Sequence, residues 1–462
     1  MSDINDPLQS LGSLDSHGHK MGIIPAEVRG LWAQRREWVR WFLLVIFLVT
    51  PWTTVNGIQT ILLNVPERTF AIFGVMFWAH DAPLIFFILL SLVFSLALVT
   101  AIWGRVWCGW ACPQTVFIEG VYRKIEILIE GHYLERRKLR DSELTAKGFL
   151  KKTIKWFLFL IVSSLIAHSF IAYFVGAQQL VGMIQGSPAE NWSYFLVTSV
   201  VTAILLFDFG WFREQFCVIM CPYGRFQSTL LDQKSITVMY DAKRGEPRKG
   251  VELSSSSRGD CVACNRCLQV CPTGIDIRNG SQMECIGCTA CIDACDEIME
   301  KVKKPKGLIR YGSLASEVEG APFRWRTLLY GAFVMIGFSG IAWSFTARDS
   351  FMVTLLRAKD TPYQVVGEEV INHYKLHLHN QTLMETAFEI TLDELATQSG
   401  VRVTLPPGKS VVPGGGEKIQ HFFVLFPKAF LEGKAEREVF VRVKDLNSQS
   451  VKERSLKLLG PL

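Results

Sequence analysis

Cys261-Val-Ala-Cys264-Asn-Arg-Cys267-Leu-Gln-Val-Cys271-Pro272 and Cys285-Ile-Gly-Cys288-Thr-Ala-Cys291-Ile-Asp-Ala-Cys295 form a doubled Cys-x2-Cys-x2-Cys-x3-Cys run. Each half has the spacing that holds a [4Fe–4S] cluster: three thiolates wrap one cubane, and the fourth reaches the neighbouring one. The predicted ligand sets are Cys261, Cys264, Cys267 with Cys295, and Cys285, Cys288, Cys291 with Cys271. Pro272 breaks the chain after its ligand and lets it turn toward the second run, which carries Asp296 where Pro is usual. Zinc also accepts four thiolates, but the doubled ferredoxin spacing favours iron and sulfide. Two clusters this close imply one-electron transfer. All 12 cysteines fall into four short motifs between Cys108 and Cys295, leaving none for a structural disulfide. Such bundling points to metal ligands in a reducing compartment.

Outward from this segment the chain is apolar. It has 462 residues, 49% hydrophobic and 20% charged, with 12% aromatic. Mean hydropathy is +0.23. That composition suits a chain that crosses a bilayer and excludes intrinsic disorder for most of it. A net charge of +6 is too small for a nucleic-acid binder of this length. Charge-free windows predict five transmembrane helices at about 38–63, 83–103, 156–180, 192–212 and 327–346. Pro51 and Asn56 weaken the first. The loop 105–155 carries eleven Lys and Arg, the loop 64–81 only Arg68 and the loop 181–191 none. This alternation predicts that residues 1–37, 105–155 and 213–326 are cytoplasmic and the tail is outside, in the periplasm of a bacterial inner membrane. From 347 to 462, alternating stretches such as Phe388-Glu-Ile-Thr-Leu and Glu438-Val-Phe-Val-Arg-Val predict an antiparallel β-sandwich. The expected architecture is therefore a polytopic α-helical membrane protein: tail 1–37, four helices over 38–240, a dicluster ferredoxin-like α+β insert over 241–312, a linker over 313–326, a fifth span over 327–346, and an all-β sandwich over 347–462. Residues 243–259 and 301–320 read as polar linkers.

Two shorter motifs repeat: Cys108-Gly-Trp-Ala-Cys112-Pro113 and Cys217-Val-Ile-Met-Cys221-Pro222. Each follows an even-numbered span, with Trp103 and Arg105 before the first and Trp211 and Arg213 before the second. Phe117 and Phe226 each sit five residues after the second Cys. Two such hairpins read as an internal repeat whose pairing gathers four thiolates at the membrane surface. Spacing of i, i+4 places both sulfurs of a motif on one helix face. Soft thiolates suit Cu(I), and Met220 adds a thioether.

Other candidates read as structural. His168 lies mid-span and reads as a packing histidine rather than a haem ligand. Asp208, at a helix end, reads as solvated or paired with a basic neighbour. Met76 and His80 are i, i+4 and form a weak metal candidate. His17 and His19 lie in a polar tail. The Lys and Arg of 123–152 read as a solvated helix on anionic membrane lipid. No GxGxxG precedes a βαβ unit, so no nicotinamide or flavin site is indicated.

The arrangement resembles the cytochrome cbb3 oxidase accessory protein family of FixG/RdxA/CcoG type. The resemblance rests on Trp107-Cys-Gly-Trp-Ala-Cys-Pro113, on Cys285-Ile-Gly-Cys-Thr-Ala-Cys-Ile-Asp-Ala-Cys295-Asp-Glu-Ile-Met, and on Gly307-Leu-Ile-Arg-Tyr311. It implies an Ig-like C-terminal domain and a reductase converting Cu(II) to Cu(I) for the oxidase. Copper would be substrate or bound ion at Cys108, Cys112, Cys217 and Cys221. The implied partners are a soluble cytoplasmic electron donor, copper chaperones or a copper-transporting ATPase, and oxidase assembly factors; a homodimer is left open. The alternative is an electron-transfer subunit that passes electrons from a quinol or soluble donor to a periplasmic reductase. A tail without Cys or a haem-attachment motif counts against that alternative.

Overall fold

The computed structural model describes residues 23–66, 69–78, 82–143, 145–249, 259–313, 324–346, 349–358, 361–382, 384–405 and 410–461. The chain folds as two compact units, residues 1–341 and 342–462.

The first unit opens with α1 (Leu31–Val49), which ends in a 3-10 turn at Thr50–Trp52. This corrects the expectation of one helix over 38–63. Pro51 has no N–H to continue the helix. Asn56 and Gly57, both at positive φ, then turn the chain between β1 (Thr54–Val55) and β2 (Ile58–Gln59). A meander follows, β3 (Ile61–Asn64), β4 (Thr69–Ile72) and β5 (Val75–Trp78). The ring of Tyr173 meets Phe47, and its hydroxyl donates to the Phe47 carbonyl at 2.8 Å.

Next come α2 (Ala82–Trp103), α3 (Val106–Trp110), α4 (Pro113–Phe117), a π-helical turn at Ile118–Tyr122, α5 (Arg123–Glu130) and α6 (Tyr133–Asp141). α7 (Ala146–Val175) starts ten residues before the expected 156, where Thr145 accepts a capping bond from the Gly148 N–H at 3.2 Å. It stops at Gly176, whose φ of +99° breaks the helix before α8 (Ala177–Gln185). α9 (Trp192–Phe207) continues through a π-helical turn to Phe212 and is followed by α10 (Pro222–Leu230).

The Cys-rich segment lies between β6 (Thr237–Tyr240) and its antiparallel partner β7 (Ile309–Gly312), with α11 (Ala242–Gly245), α12 (Arg266–Gln269) and α13 (Ala290–Lys301) between them. Residues 309–312 are thus a strand and not linker; 314–320 lie outside the described residues. α14 (Trp325–Thr346) packs on α2 through small residues: a Cβ on Gly337 would lie 2.2 Å from Ser91 Oγ, and one on Gly340 would lie 2.4 Å from the Phe87 ring.

Among the described residues, four helices are long and apolar enough to cross a membrane: Pro83–Trp103, Ala146–Val175, Trp192–Phe212 and Trp325–Thr346. α1 is not one of them, since Arg36, Glu37 and Arg40 lie within it. Leu44, Phe117, Tyr122, Phe159, Ile166 and Phe209 form the core between α1, α4, α7 and α9.

The second unit is an antiparallel sandwich. β8 (Phe351–Arg357), β9 (Gln364–Val366), β10 (Glu369–Asn380), β11 (Thr386–Leu392), α15 (Glu394–Gln398), β12 (Arg402–Thr404), β13 (Ser410–Val412), β14 (Glu417–Pro427), β15 (Glu436–Asp445) and β16 (Val451–Leu459) follow in order. One sheet runs β12-β14-β10-β8 with β9 on β10; the other runs β13-β11-β15-β16. Inward residues alternate strictly along β10, so Val370, Tyr374, Leu376 and Leu378 lie beside Phe422, Val424 and Phe426 of β14 on one face and share a core with Ile390, Val441 and Leu458 of the other sheet.

Candidate metal centre

The two cysteine runs share a backbone device. Ala263 and Gly287, and likewise Asn265 and Thr289, occupy equivalent places in the two runs, and all four have φ between +56° and +68°. Left-handed residues are costly unless they are glycine. Here they curl each run back on itself, which brings its first three cysteines near one another. Cys267 sits in α12, and Cys291 and Cys295 sit in α13. The thiol of Cys295 lies within electrostatic reach of Cys267, Cys264 and Cys261. That of Cys291 lies within reach of Cys288, Cys285 and Cys271, and more weakly of Cys267. The structure therefore gathers two quartets, each crossing between runs. A cavity lined by Cys271, Cys285, Cys288 and Cys291, with Cys267 of the other quartet at its edge, has Ile275, Ile277 and Ile286 as apolar walls.

Burial pushes the Cys267 thiol up to about 11 and those of Cys285 and Cys295 up to about 12, with neighbouring cysteines adding to the effect. Metal must displace these protons. Among the described residues, no three His, Cys, Asp or Glu side chains converge to hold one metal ion. Thiolates that wrap a cluster stand at its corners, so eight cysteines in two quartets with apolar walls fit a pair of [4Fe–4S] clusters. Asp296, in the place of a proline, accepts from the Gly307 N–H at 2.8 Å and closes the turn after α13.

The second group sits beside the first. The thiol of Cys217 is in electrostatic reach of Cys112, Cys108 and Cys221. Burial pushes Cys108 up to about 11 and raises Cys112 and Cys217 as well. Buried Gln227 donates to Cys108 Sγ at 3.3 Å. The expectation that each pair shares one helix face is corrected. Cys108 lies in α3, but Cys112 is the extended N-cap of α4; Cys217 lies in a π-helical turn, and Cys221 is the N-cap of α10. Pro113 and Pro222 impose this, because proline disfavours helix at the residue before it and suits the first helical position. Met220 is 61% exposed, whereas the four cysteines are half-buried. Phe117 is buried while Phe226 is 65% exposed, so the repeat is not symmetric there.

Glycine joins the two groups. A Cβ on Gly109 would lie 2.7 Å from the Gly287 carbonyl oxygen and 2.8 Å from that of Ile286, so α3 touches the backbone of the cluster loop. Arg105 donates to the carbonyls of Met283 and Cys285 in that loop and to Gly224 of α10. Asp293, between two cluster cysteines, accepts from the backbone N–H of Trp32 at 3.2 Å and of Ala33 at 2.7 Å, closing the N-terminus of α1. Sequence reasoning missed Gly109, Gln227 and Asp293. Arg105 was visible only as a repeated flank.

The basic residues of 123–152 are not uniformly solvated. Arg123 and Arg136 are buried. Glu126 pairs with Arg136 and Arg213, and Lys155 reaches Glu130 at 2.6 Å. Burial alone would raise the Glu126 carboxyl, but Arg213, Arg136 and Lys155 outweigh it and hold it down at about 2. Asp208 is bonded not by a basic side chain but by the Gln114 amide at 3.0 Å. His168 Nδ1 lies 2.7 Å from the Ser164 carbonyl oxygen, and its ring packs on Tyr194. His17, His19 and His80, and with His80 the Met76 pair, fall outside the described residues.

Three family models match the chain. They are a "4Fe-4S binding domain" over residues 84–132, a "4Fe-4S dicluster domain" over 212–314 and an "IG-like fold at C-terminal of FixG" over 341–461. Protein RdxA of Cereibacter sphaeroides is 33% identical, covering 80% of this chain and 82% of its own. Protein RdxB of the same organism is 32% identical over 90% and 91%. Nitrogen fixation protein FixG of Rhizobium meliloti is 30% identical over 83% of each. Two thiol quartets, apolar helices, a C-terminal sandwich and this span of identity together mean that the chain belongs to the FixG/RdxA family of iron–sulfur electron-transfer proteins, as a FixG-type polyferredoxin.

Proposed function

We propose that this protein is a cupric reductase of the bacterial inner membrane, supplying Cu(I) for assembly of a cbb3-type oxidase. The observation that carries this is the grouping of Cys108, Cys112, Cys217 and Cys221, half-buried together and abutting the cluster loop at Gly109. When bound, the two clusters supply one-electron transfer. The residues around them do the rest. Cys261, Cys264, Cys267 and Cys295 hold one cluster, and Cys271, Cys285, Cys288 and Cys291 hold the other. Cu(II) enters the Cys108 group, takes one electron and leaves as Cu(I), the ion that soft thiolates prefer. Two thiolates suffice for Cu(I), so the absence of three converging ligands among the described residues is compatible with this role. Gln227 orients Cys108, and Arg105 holds the cluster loop against α3.

The topology that suits this role keeps the cluster segment cytoplasmic, facing a soluble electron donor, and the sandwich periplasmic. The Lys and Arg alternation supports it.

The test is anaerobic purification of the full chain and of Cys108→Ser/Cys112→Ser, with metal analysis and Cu(II) addition after pre-reduction. Both proteins should hold about eight irons, the stoichiometry of two cubanes. The variant should bind copper more weakly and reduce it at least tenfold more slowly. An equal rate would make the pairs structural. About twelve irons per wild-type chain would assign the Cys108 group to a third cluster, a reading favoured by the 4Fe-4S model over residues 84–132.

A further inference from the structure

Four arginines, Arg36, Arg40, Arg123 and Arg136, are each less than a tenth exposed. They line one cavity of about 380 Å³, and Cys288 lines it too. Six of their nitrogens are buried without a hydrogen-bond acceptor: Arg36 Nε, Arg40 Nε and Nη2, Arg123 Nε, and Arg136 Nε and Nη1. Some have carboxylates nearby. Arg123 pairs with Glu119 at 2.9 Å and with Glu214, and Arg136 pairs with Glu126. Arg136 Nε is 4.0 Å from Glu130, beyond hydrogen bonding, and Arg40 reaches Glu37 only at 3.7 Å. Arg36 makes no ion pair among the described residues.

A buried guanidinium without an acceptor costs several kcal/mol. Glu119, Glu214 and Glu126 answer Arg123 and Arg136, and Glu119 must also serve Arg40 and Arg36, so the positive charge left over is centred on Arg36 and Arg40. Glu27, Glu37 and Glu119 line this cavity too, and with them the Cys288 thiolate and whatever it ligates; Arg40 lies within electrostatic reach of Glu119, of Glu37 and of that sulfur. A cubane on four thiolates carries a charge of about −2, falling to about −3 on reduction, and local charge sets its potential.

The other quartet has a different setting. Cys267 and Cys261 face Arg278, but Arg278 is neutralised by Asp276 at 2.6 Å. Cys295 faces Asp296, and Cys264 is exposed.

We propose that Arg36 and Arg40, backed by Arg123 and Arg136, are the counter-charge of the cluster on Cys271, Cys285, Cys288 and Cys291. They set its reduction potential above that of the cluster on Cys261, Cys264, Cys267 and Cys295. This rests on the ligand sets given above. It gives electron flow a direction: in at the exposed Cys264 side, on to the buried cluster whose loop touches Gly109 and the Cys108 group. The arginines act through the cluster and are positioning residues, not catalytic ones.

The test is an EPR-monitored redox titration of the full-length protein in detergent, with iron and acid-labile sulfide counted on the same samples. In Arg36→Met, one of the two cluster potentials should fall by at least 59 mV, a tenfold loss in the one-electron reduction equilibrium. The other should stay in place, and Arg36→Lys should recover most of the shift. Neither potential moving, both moving together, or Arg36→Lys falling as far as Arg36→Met would overturn the proposal. If Arg36→Met fails to hold its iron, Arg40→Gln carries the same expectation. A wild-type potential that moves with added phosphate, and stops moving in Arg40→Gln, would give the cage to a diffusible anion and overturn the assignment. Failure of the ligand sets themselves would appear separately, as a wild-type iron count below eight.

Discussion

Replacing Glu126 by glutamine removes the carboxylate that ties the two helical hairpins together. Its side chain is 3% exposed and pairs with Arg136 and with Arg213, whose Nη1 stands 3.2 Å from Oε2; Lys155 lies 3.9 Å away. The folded carboxyl is held at about 2. Against an ordinary Glu value of about 4.3, and at 1.36 kcal/mol per unit, this is about 3 kcal/mol. Losing one partner of a buried pair costs about 3–5 kcal/mol, which agrees. Because the group titrates lower in the folded than in the unfolded chain, its contribution is complete above about pH 4.5 and fades only as pH falls toward 2. Glu126→Gln should therefore unfold about 3 kcal/mol more easily in SDS mixed micelles, followed by tryptophan fluorescence, with the same gap at pH 7 and at pH 5. A gap under about 1 kcal/mol, or one that halves between those two pH values, would refute the reasoning.

Other expectations follow from the same residues. Cys264→Ala should lose one cluster, leaving about half the iron and one EPR signal intact; loss of both signals would mean the quartets do not stand alone. Gly109→Ala places a methyl 2.7 Å from the Gly287 carbonyl oxygen, so backbone must yield at an overpacking cost of about 1–3 kcal/mol. The Gly109→Ala variant should keep its iron but pass electrons to copper several-fold more slowly, which stopped-flow absorbance reads directly. Alkaline phosphatase fused after Pro461 should be active and a fusion at Ser254 silent, because Lys and Arg flank the cluster segment; the reverse pattern would invert the topology.

The parts of the fold that could be read from the chain are those written as a period or a spacing. The cluster runs carry their ligand pattern within 35 residues, from Cys261 to Cys295. The sandwich shows in the period of two along strands such as Glu369–Asn380, where alternate residues are buried. Spans such as Pro83–Trp103 are bare apolar runs.

What could not be read depends on partners far apart in sequence. Arg123 and Arg136 have near partners in Glu119, Glu126 and Glu130, yet they look like solvated charges until Glu214, 91 residues from Arg123, and Arg213, 87 from Glu126, close over them. Asp208 invites a basic partner, and only the fold brings Gln114 to it. The split at Cys112 and Cys221 was legible, because Pro113 and Pro222 forbid one continuous helix through each pair; the i, i+4 spacing hid it. Gly109 could not be understood without knowing that the Gly287 backbone lies against it.

Asp293 sits inside the metal-binding helix, yet it caps the helix of Trp32, 261 residues earlier. The neighbouring contacts act alike: Ala26 N–H donates to the Gln269 carbonyl at 2.9 Å, and Arg266 donates to the Glu27 carbonyl at 3.0 Å. During synthesis the first helix therefore waits, its leading amides open, until one of the last segments of its unit has been made. Seating that helix and filling the thiol quartets become one cooperative event. A chain without iron is expected to lose protection at that leading end, which limited proteolysis of iron-free and iron-loaded protein would compare.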